Sequence, residues 1–521
     1  MNKNKPTLNF IDRAVSFFSP SAGLDRARAR FQMNLIRNYE GASKAPRNKN
    51  WNAKSTSANT EIQTALTTLR DRSRELTRNN AYWSKAIEVI ANKVVGSGIR
   101  PRIDEDSIGK AEKKRILKLW KQFSETTECD FDGNLTFYGL QRLIARAKTE
   151  SGEVLIRRRR VAKGSLLPIQ YQLVEGDLLD HLKSISTSEG NYIVQGIEFD
   201  SRGKKVAYWV YDRHPNETLG FFIKMPQSQR IPIDDIIQVY EVMRPGQLRG
   251  TPDGTSGMNA FRDFDDYEDA QLMRQKIAAC FSVFVHDNTE SLANAAAGVD
   301  IDEEEDGTLS ERVQPGMIEE LPPGKTISFA SPPGTEGYGE YSKNVLRKGA
   351  ASFNLTYESL TGDLSNVNYT SFKAGQITES LRIENLQNNV MIPVCNKLWK
   401  WFVDGAILAG KIGRNAEGVT VSWTPPKKQQ VDPVKEIKGL SEEVRNGFTS
   451  WSEAVSSLGW NPEDLIFELS KDQELFDKFK MMLACDPRFD VARPVPNHAS
   501  LMLTGSATPP APDAAAPVTE S

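Results

Sequence analysis

Cysteine and histidine are scarce: four of each in 521 residues. Cys129, Cys280, Cys395 and Cys485 stand far apart, which excludes a zinc knuckle, a local redox pair and a disulfide scaffold, so they read as buried or incidental thiols. His181, His214, His286 and His498 occur singly, with no HExxH, and no GxSxG elbow is present. The residues give no catalytic, cofactor or metal set, so the chain is read as a non-enzyme. Neither sign of charge dominates: 66 Lys and Arg meet 68 Asp and Glu, leaving a net charge of -2 that argues against a protein whose main task is gripping nucleic acid along an extended basic face. No apolar run approaches the roughly 18 residues of a membrane span. Asp12 and Arg13 interrupt the apolar part of the amino end, so neither membrane insertion nor export is expected and a reducing compartment is the default.

What is present is ordinary globular material, 39% hydrophobic, long enough for about three or four domains. Between residues 60 and 95 Leu66, Leu69, Trp83, Ile87, Ile90 and Val94 recur at helical steps, predicting one long helix or two abutting ones, closed by Gly96, Gly98 and Pro101. Arg70, Arg72, Arg74 and Arg78 on this stretch are expected to face water. Ile116, Leu119, Trp120 and Phe123 mark a second helix, and Thr136 caps a third. EVLIRRRRVA, PIQYQLVE, NYIVQGIEFD and KKVAYWVYDRH then read as four strands, with a turn at 200–203 between the last two. Arg157 to Arg160 alternate faces and serve structure or solubility. The fold class is therefore α+β.

Residues 261–285 begin acidic and end apolar, predicting a helix whose Asp263, Asp265, Asp266, Glu268 and Asp269 fan around the cylinder and do not converge on a metal. A Pro/Gly-punctuated β excursion follows. Its PGKT at 323–326 lacks the earlier glycine of a phosphate loop, and Gly334, Gly337 and Gly339 do not have dinucleotide spacing. Residues 340–357 resume a helix, LTGDLSNVNYTS supplies a polar loop, and a long helix from Phe372 is expected to bend or break at Pro393 near Val390. Trp399, Trp401, Phe402, Trp209 and Tyr211 fall in patterns that favour packing over base stacking. After 423–433 comes a small helical unit, and TGSATPPAPDAAAPVTES cannot build a core.

The run TALTTLRDRSRELTRNNAYWSKAIEVIANKVVGSGIRP resembles the amino-terminal signature of the lambda-like portal proteins of tailed bacteriophages and prophages. The resemblance continues in order through YQLVEGDLLD, GIEFDSRGKKVAYWV, MRPGQLRGTPDGTSGMNAFRDFDDYEDAQLMRQKIAACFSVFV, GAASFNLTYESLTGDLSNVNYTSFKAGQITESLR and WTPPKKQQVDPVKEIKGLSEEVRNGFTSWSEAVSSLGWNPEDL, over residues 60–480. NYTSFKAG differs from the common family wording NYSSARAG at Thr370, Phe372 and Lys373.

This resemblance implies a portal fold with an α/β wing, helical stem, small β-containing clip and helical crown, assembled as a ring of, usually, twelve subunits at one capsid vertex. It implies a flexible arm over 1–59, wing over 60–261, a stem helix at 262–285, the clip at 286–335 and a returning stem helix at 336–360. A tunnel loop at 361–369, wing return and long helix at 370–431, crown at 432–485 and disordered tail at 486–521 complete the expectation. The candidate DNA-facing residues are Thr361, Gly362, Asp363, Leu364, Ser365, Asn366, Val367, Asn368 and Tyr369. The candidate stem residues are Asp263, Asp266, Gln271, Arg274 and Lys276. The implied partners are a terminase motor, major capsid and scaffolding proteins, a head-tail connector, and double-stranded DNA passing without sequence specificity. The implied location is the virion vertex, with host cytoplasm during assembly. A virion adaptor that does not conduct DNA is the alternative.

Overall fold

Helix-forming stretches with identifiable caps alternate with short β-branched and aromatic runs, and the computed structural model turns these, among the described residues, into helices and four small antiparallel sheets. It describes residues 17, 55–103, 108–161, 164–187, 190–217, 226–280, 284–287, 325–328, 337–365, 367–426, 432–460 and 462–481. Nearly all of the expected arm, most of the expected clip, Asn366 and the expected tail lie outside these. Two units are distinguished: Met1–Ala65 with Arg244–Gln247, and the remainder. Within the first, Arg244 pairs with Glu61 at 2.8 Å and Asn59 donates to the Gly246 carbonyl at 3.0 Å.

Helices α1 (Ala58–Asn79) and α2 (Ala81–Val95) abut, because Asn80 adopts an extended conformation and its side chain accepts from the Trp83 N–H at 2.8 Å. Strand β1 (Arg100–Ile103) follows, then α3 (Lys110–Ser124) and α4 (Phe137–Ser151), the latter capped by Thr136. β2 (Glu153–Arg160) lies between β3 (Ile169–Glu175) and β9 (Ile236–Tyr240) in a three-stranded sheet. The five-stranded sheet runs β4 (Ile185–Ser186), β5 (Tyr192–Val194), β6 (Ile197–Phe199), β7 (Lys205–Tyr211) and β8 (Ser228–Pro232) in order. The single strand expected over 191–200 is thus a hairpin. Gln195 and Gly196 both take positive φ, 51° and 78°, the conformation a two-residue hairpin turn needs.

Helix α5 (Met258–Cys280) ends earlier than the expected 261–285, and Phe284–Asp287 form β10, paired with β11 (Lys325–Ser328). The β-branched and aromatic run at the end of that stretch has won over helical continuation. Lys325 and Thr326 of PGKT are ladder residues opposite Asp287 and His286. Helix α6 (Tyr338–Ser352) also stops short of the expected 357, because Asn354 turns to φ 55° before α7 (Tyr357–Thr361). Then come α8 (Tyr369–Leu386), a π turn at Gln387–Met391, and α9 (Ile392–Leu408) with Pro393 in its first turn. The disturbance expected near Val390 is this π turn. Strand β12 (Val421–Thr424) pairs with β1, and α10 (Pro433–Arg445), α11 (Trp451–Ser457) and α12 (Pro462–Phe479) close the described chain.

The main core gathers α2, α3, α4 and α9. Trp120 meets Phe137 at 4.8 Å, Phe402 at 4.9 Å and Trp399 at 5.0 Å between ring centroids, so Trp399, Trp401 and Phe402 pack as expected, while Trp209 and Tyr211 are only half-buried. A smaller core, with Leu155, Leu179, Ile197 and Val210, underlies the five-stranded sheet. Cys129 and Cys395 are buried thiols, both pushed up to about 12, chiefly by burial.

Where α5 crosses α6, Gly349 lies against the Phe261 ring, and a Cβ there would sit 2.5 Å from Phe261 Cζ. Backbone and aromatic ring leave no slack, so Gly349→Ala is expected to cost about 1–3 kcal/mol, the usual penalty of overpacking. Urea unfolding of the variant beside wild type measures it.

Candidate functional site: a polar loop between anchored helices

The segment from Thr361 to Tyr369 is short and polar, and its ends are set by side-chain chemistry. Thr361 ends α7, where its Oγ1 accepts from the Asp363 N–H at 3.1 Å. Gly362 takes φ 78° and caps the helix, donating to the Glu358 carbonyl at 2.8 Å. Asp363 accepts from Ser365 N–H at 3.0 Å, Ser365 Oγ at 2.6 Å and Tyr357 OH at 3.3 Å. These bonds, those from Ser365 foremost, hold its carboxyl below the usual aspartate value. Leu364 and Ser365 are exposed, Val367 is half-buried, and Asn366 lies outside the described residues. Asn368 caps α8 by accepting from Ser371 N–H at 2.8 Å. Tyr369 is therefore already helical, three residues before the start read at Phe372 and one before the start at 370 implied by the resemblance, and Lys435 Nζ sits 5.3 Å from its ring centre.

Of the helices flanking the loop, α8 is tied down by ion pairs that spacing in the sequence did not disclose, and α7 is tied to one of them by hydroxyl hydrogen bonds. Glu379 on α8 is almost wholly buried and accepts from Lys93 Nζ at 2.5 Å and Ser359 Oγ at 2.7 Å. Thr356, the cap of α7, also reaches Glu379, at 3.4 Å. One turn along, Arg382 donates through both Nη atoms to Glu241. Glu241 also meets Lys148 Nζ at 2.9 Å, and Lys148 meets Asp253 at 2.9 Å. Polar side chains this deep remain charged only with such partners.

Burial alone would raise the Glu241 carboxyl, but Arg382 and Lys148 bring it from 4.5 to about 2. Because the folded chain binds this proton more weakly than the unfolded one, the pair's stabilisation is complete above 4.5 and is lost as pH falls toward 2. Titrating the urea midpoint of wild type against Glu241→Gln should show the wild-type advantage shrinking through that window.

The candidate stem residues lie on α5. Asp263, Asp266 and Lys276 are exposed, and Gln271 and Arg274 are half-buried. Neighbouring positions do the packing: Tyr267 stacks on Tyr338, whose OH donates to Glu268 at 3.0 Å, and Asp265 accepts from Asn80 at 2.8 Å. Among the described residues no hydrogen bond or ion pair joins Asp263, Asp266, Gln271 or Lys276 to 361–369.

The expectation that Arg70, Arg72, Arg74 and Arg78 all face water is half wrong. Arg72 and Arg78 are exposed, but Arg70 is buried and meets Glu153 at 2.8 Å and Asp177 at 3.2 Å, while Arg74 meets Asp177 at 2.6 Å. Glu153, itself fully buried, also receives Arg249 Nε at 2.8 Å and Gln238 Nε2 at 2.8 Å. Burial would raise its carboxyl, but Arg249 and Arg70 more than offset this and hold it below the usual glutamate value. Beside this cluster Glu175, Asp177 and His214 bring ligand atoms within 4.8 Å of one another. Asp177 is already bonded to two guanidinium groups, which oppose a cation, so ion pairing accounts for the arrangement.

Phage portal protein, lambda family, matches residues 44–387, from before α1 through α8 and including the whole polar loop. The chain belongs to this family. Among its relatives, the probable portal protein of Halomonas phage phiHAP-1 is 25% identical over 466 residues, covering 86% of this chain and 89% of that one. Portal protein B of Escherichia phage lambda is 22% identical over 451 residues, covering 79% and 84%. Of solved structures, a chain from the neck of a native gene transfer agent particle computed with C12 symmetry aligns with TM-score 0.42 and 13% identity, covering 75% of this chain and 94% of that one. A chain from the neck of an empty particle of that kind aligns with TM-score 0.44 and 14% identity, covering 76% and 94%.

Proposed function

We propose that this portal-family chain is the subunit of a twelve-membered ring at one capsid vertex, the channel through which double-stranded DNA is packaged and ejected. The ring docks the terminase motor, the head-tail connector and the surrounding capsid and scaffolding proteins, and it reaches the virion after assembly in the host cytoplasm. The observation that carries this reading is the family match running unbroken through the polar loop and both of its anchoring helices. In this reading 60–261 and 370–431 are wing, α5 and α6 belong to the stem, 286–335 is clip and 432–485 is crown.

The loop at 361–369 faces the duplex. Small polar residues on a frame held by partly buried ion pairs suit a surface that touches a moving polyanion without gripping it. A net charge of -2 agrees with passage. The ring itself does no chemistry: the energy for movement comes from the motor. Cryo-microscopy of the assembled ring with duplex in its channel tests the proposal. Residues 361–369 at the channel wall are the expected result, whereas a ring too narrow for duplex would favour the adaptor that does not conduct DNA.

A further inference from the structure

Helix α3 carries a stripe of unusual charge. Lys110, Lys113, Lys114, Lys118 and Lys121 line one shallow surface groove around the half-buried Leu117, while Ile116, Leu119, Trp120 and Phe123 face the core. Among the described residues no acidic side chain lines this groove. Lys113 is used internally, pairing with Glu463 at 2.8 Å, and Lys121 lies only loosely beside Glu125, at 3.8 Å. Within the same described set Lys110, Lys114 and Lys118 have no carboxylate partner, in a chain whose total charge is almost balanced.

We propose that the lysine stripe of α3 is a second, sequence-independent docking point for the phosphate backbone of duplex DNA, separate from the polar loop. Lys110, Lys114 and Lys118 recur every fourth residue, about 6 Å apart along the axis, and the stripe from 110 to 121 spans about 16 Å. A duplex strand presents one charge per about 3.4 Å of axis, so this length faces about five phosphates. Lysine is a compact, hydrated point charge with three rotatable donors, which meets phosphates without fixing an orientation. An acidic protein partner fits less well, since protein interfaces are depleted in lysine and built around aromatic and arginine anchors, and here only Leu117 offers apolar surface.

This inference rests on the reading of the chain as a handler of duplex DNA, and the test separates the two. Assembled full-length protein is titrated with a fluorescent duplex of arbitrary sequence over a range of salt, and packaging is assayed in parallel. Lys110→Gln/Lys114→Gln/Lys118→Gln leaves the core face of α3 untouched. It is expected to weaken binding and to reduce the slope of log K against log salt by about 2.7, or 0.9 for each phosphate no longer neutralised. Lys110→Glu/Lys114→Glu/Lys118→Glu should weaken binding further than the Gln variant, because repulsion is added to the lost contacts. An unchanged slope in both variants overturns the stripe as a DNA-binding surface while leaving packaging, and with it the channel reading, intact. Unchanged duplex binding with impaired packaging also overturns it and assigns the lysines to an acidic protein.

Discussion

Replacing Glu153 by Ala is expected to cost about 3–5 kcal/mol, the penalty of leaving buried charge without its partner. Glu153 is the anion on which Arg70 and Arg249 both converge, and all three side chains are almost fully buried. Its other oxygen accepts from Gln238 and from the Gly250 N–H at 3.2 Å, so the carboxylate joins α1, β2, β9 and the strand's exit loop. Removing it leaves two guanidinium groups facing each other in a dry site. Urea unfolding by circular dichroism would show the loss, and Glu153→Gln, which keeps the shape and some hydrogen bonds, should fall between Ala and wild type. A variant as stable as wild type would mean that water reaches the cluster.

The second large effect is local. Glu379→Ala removes the acceptor that Lys93, Ser359 and Thr356 share, and hydrogen bonds to a buried charge contribute about 1.5–3 kcal/mol. The tie between α7 and α8 goes with it, so the population of chains with the loop detached should rise by an order of magnitude or more, since each 1.4 kcal/mol is tenfold. Hydrogen exchange at 361–369 should quicken while global unfolding changes little. If the proposed ring is right, this variant should package DNA poorly yet assemble, and Glu379→Gln should restore part of the protection. Unchanged exchange would show that the loop is held by its own Asp363 and Asn368 bonds alone.

The Thr136 cap and the apolar stripes were legible in the sequence. Thr136 caps through Gly139, three residues on, and Ile116, Leu119, Trp120 and Phe123 needed only helical geometry to find the core; the caps at Asn80 and Asn368, which act at the same spacing, were not singled out. The 195–196 hairpin escaped because Gln is not a usual residue at positive φ, so the run looked like one strand. The ion-pair anchors escaped for a deeper reason. Arg382 and Glu241, or Lys93 and Glu379, are distant in sequence, and no periodicity marks a salt bridge formed by tertiary packing. Arg70 was misplaced by the same blindness, because its helix face is buried only once β2 supplies Glu153. The polar loop itself was legible in LTGDLSNVNYTS, but a DNA-facing role for it came only through family resemblance, since its composition is that of any turn.

The π turn at Gln387–Met391 has a geometric consequence for the helix on either side of it. One residue beyond α-helical count turns everything downstream by about 100° around the axis. Before the turn α8 leaves Ile377 and Leu381 exposed, and after it α9 sends Val394, Cys395, Leu398, Trp399, Trp401 and Phe402 into the core. Gln387 fastens the junction by donating to the Val94 carbonyl at 2.9 Å. The phase of the two halves is thus decoupled at a single place, so deleting one residue there would straighten the ladder and rotate one half's packing face away from its partners. A rod that must meet different surroundings at its two ends keeps its continuity and changes its facing in one step.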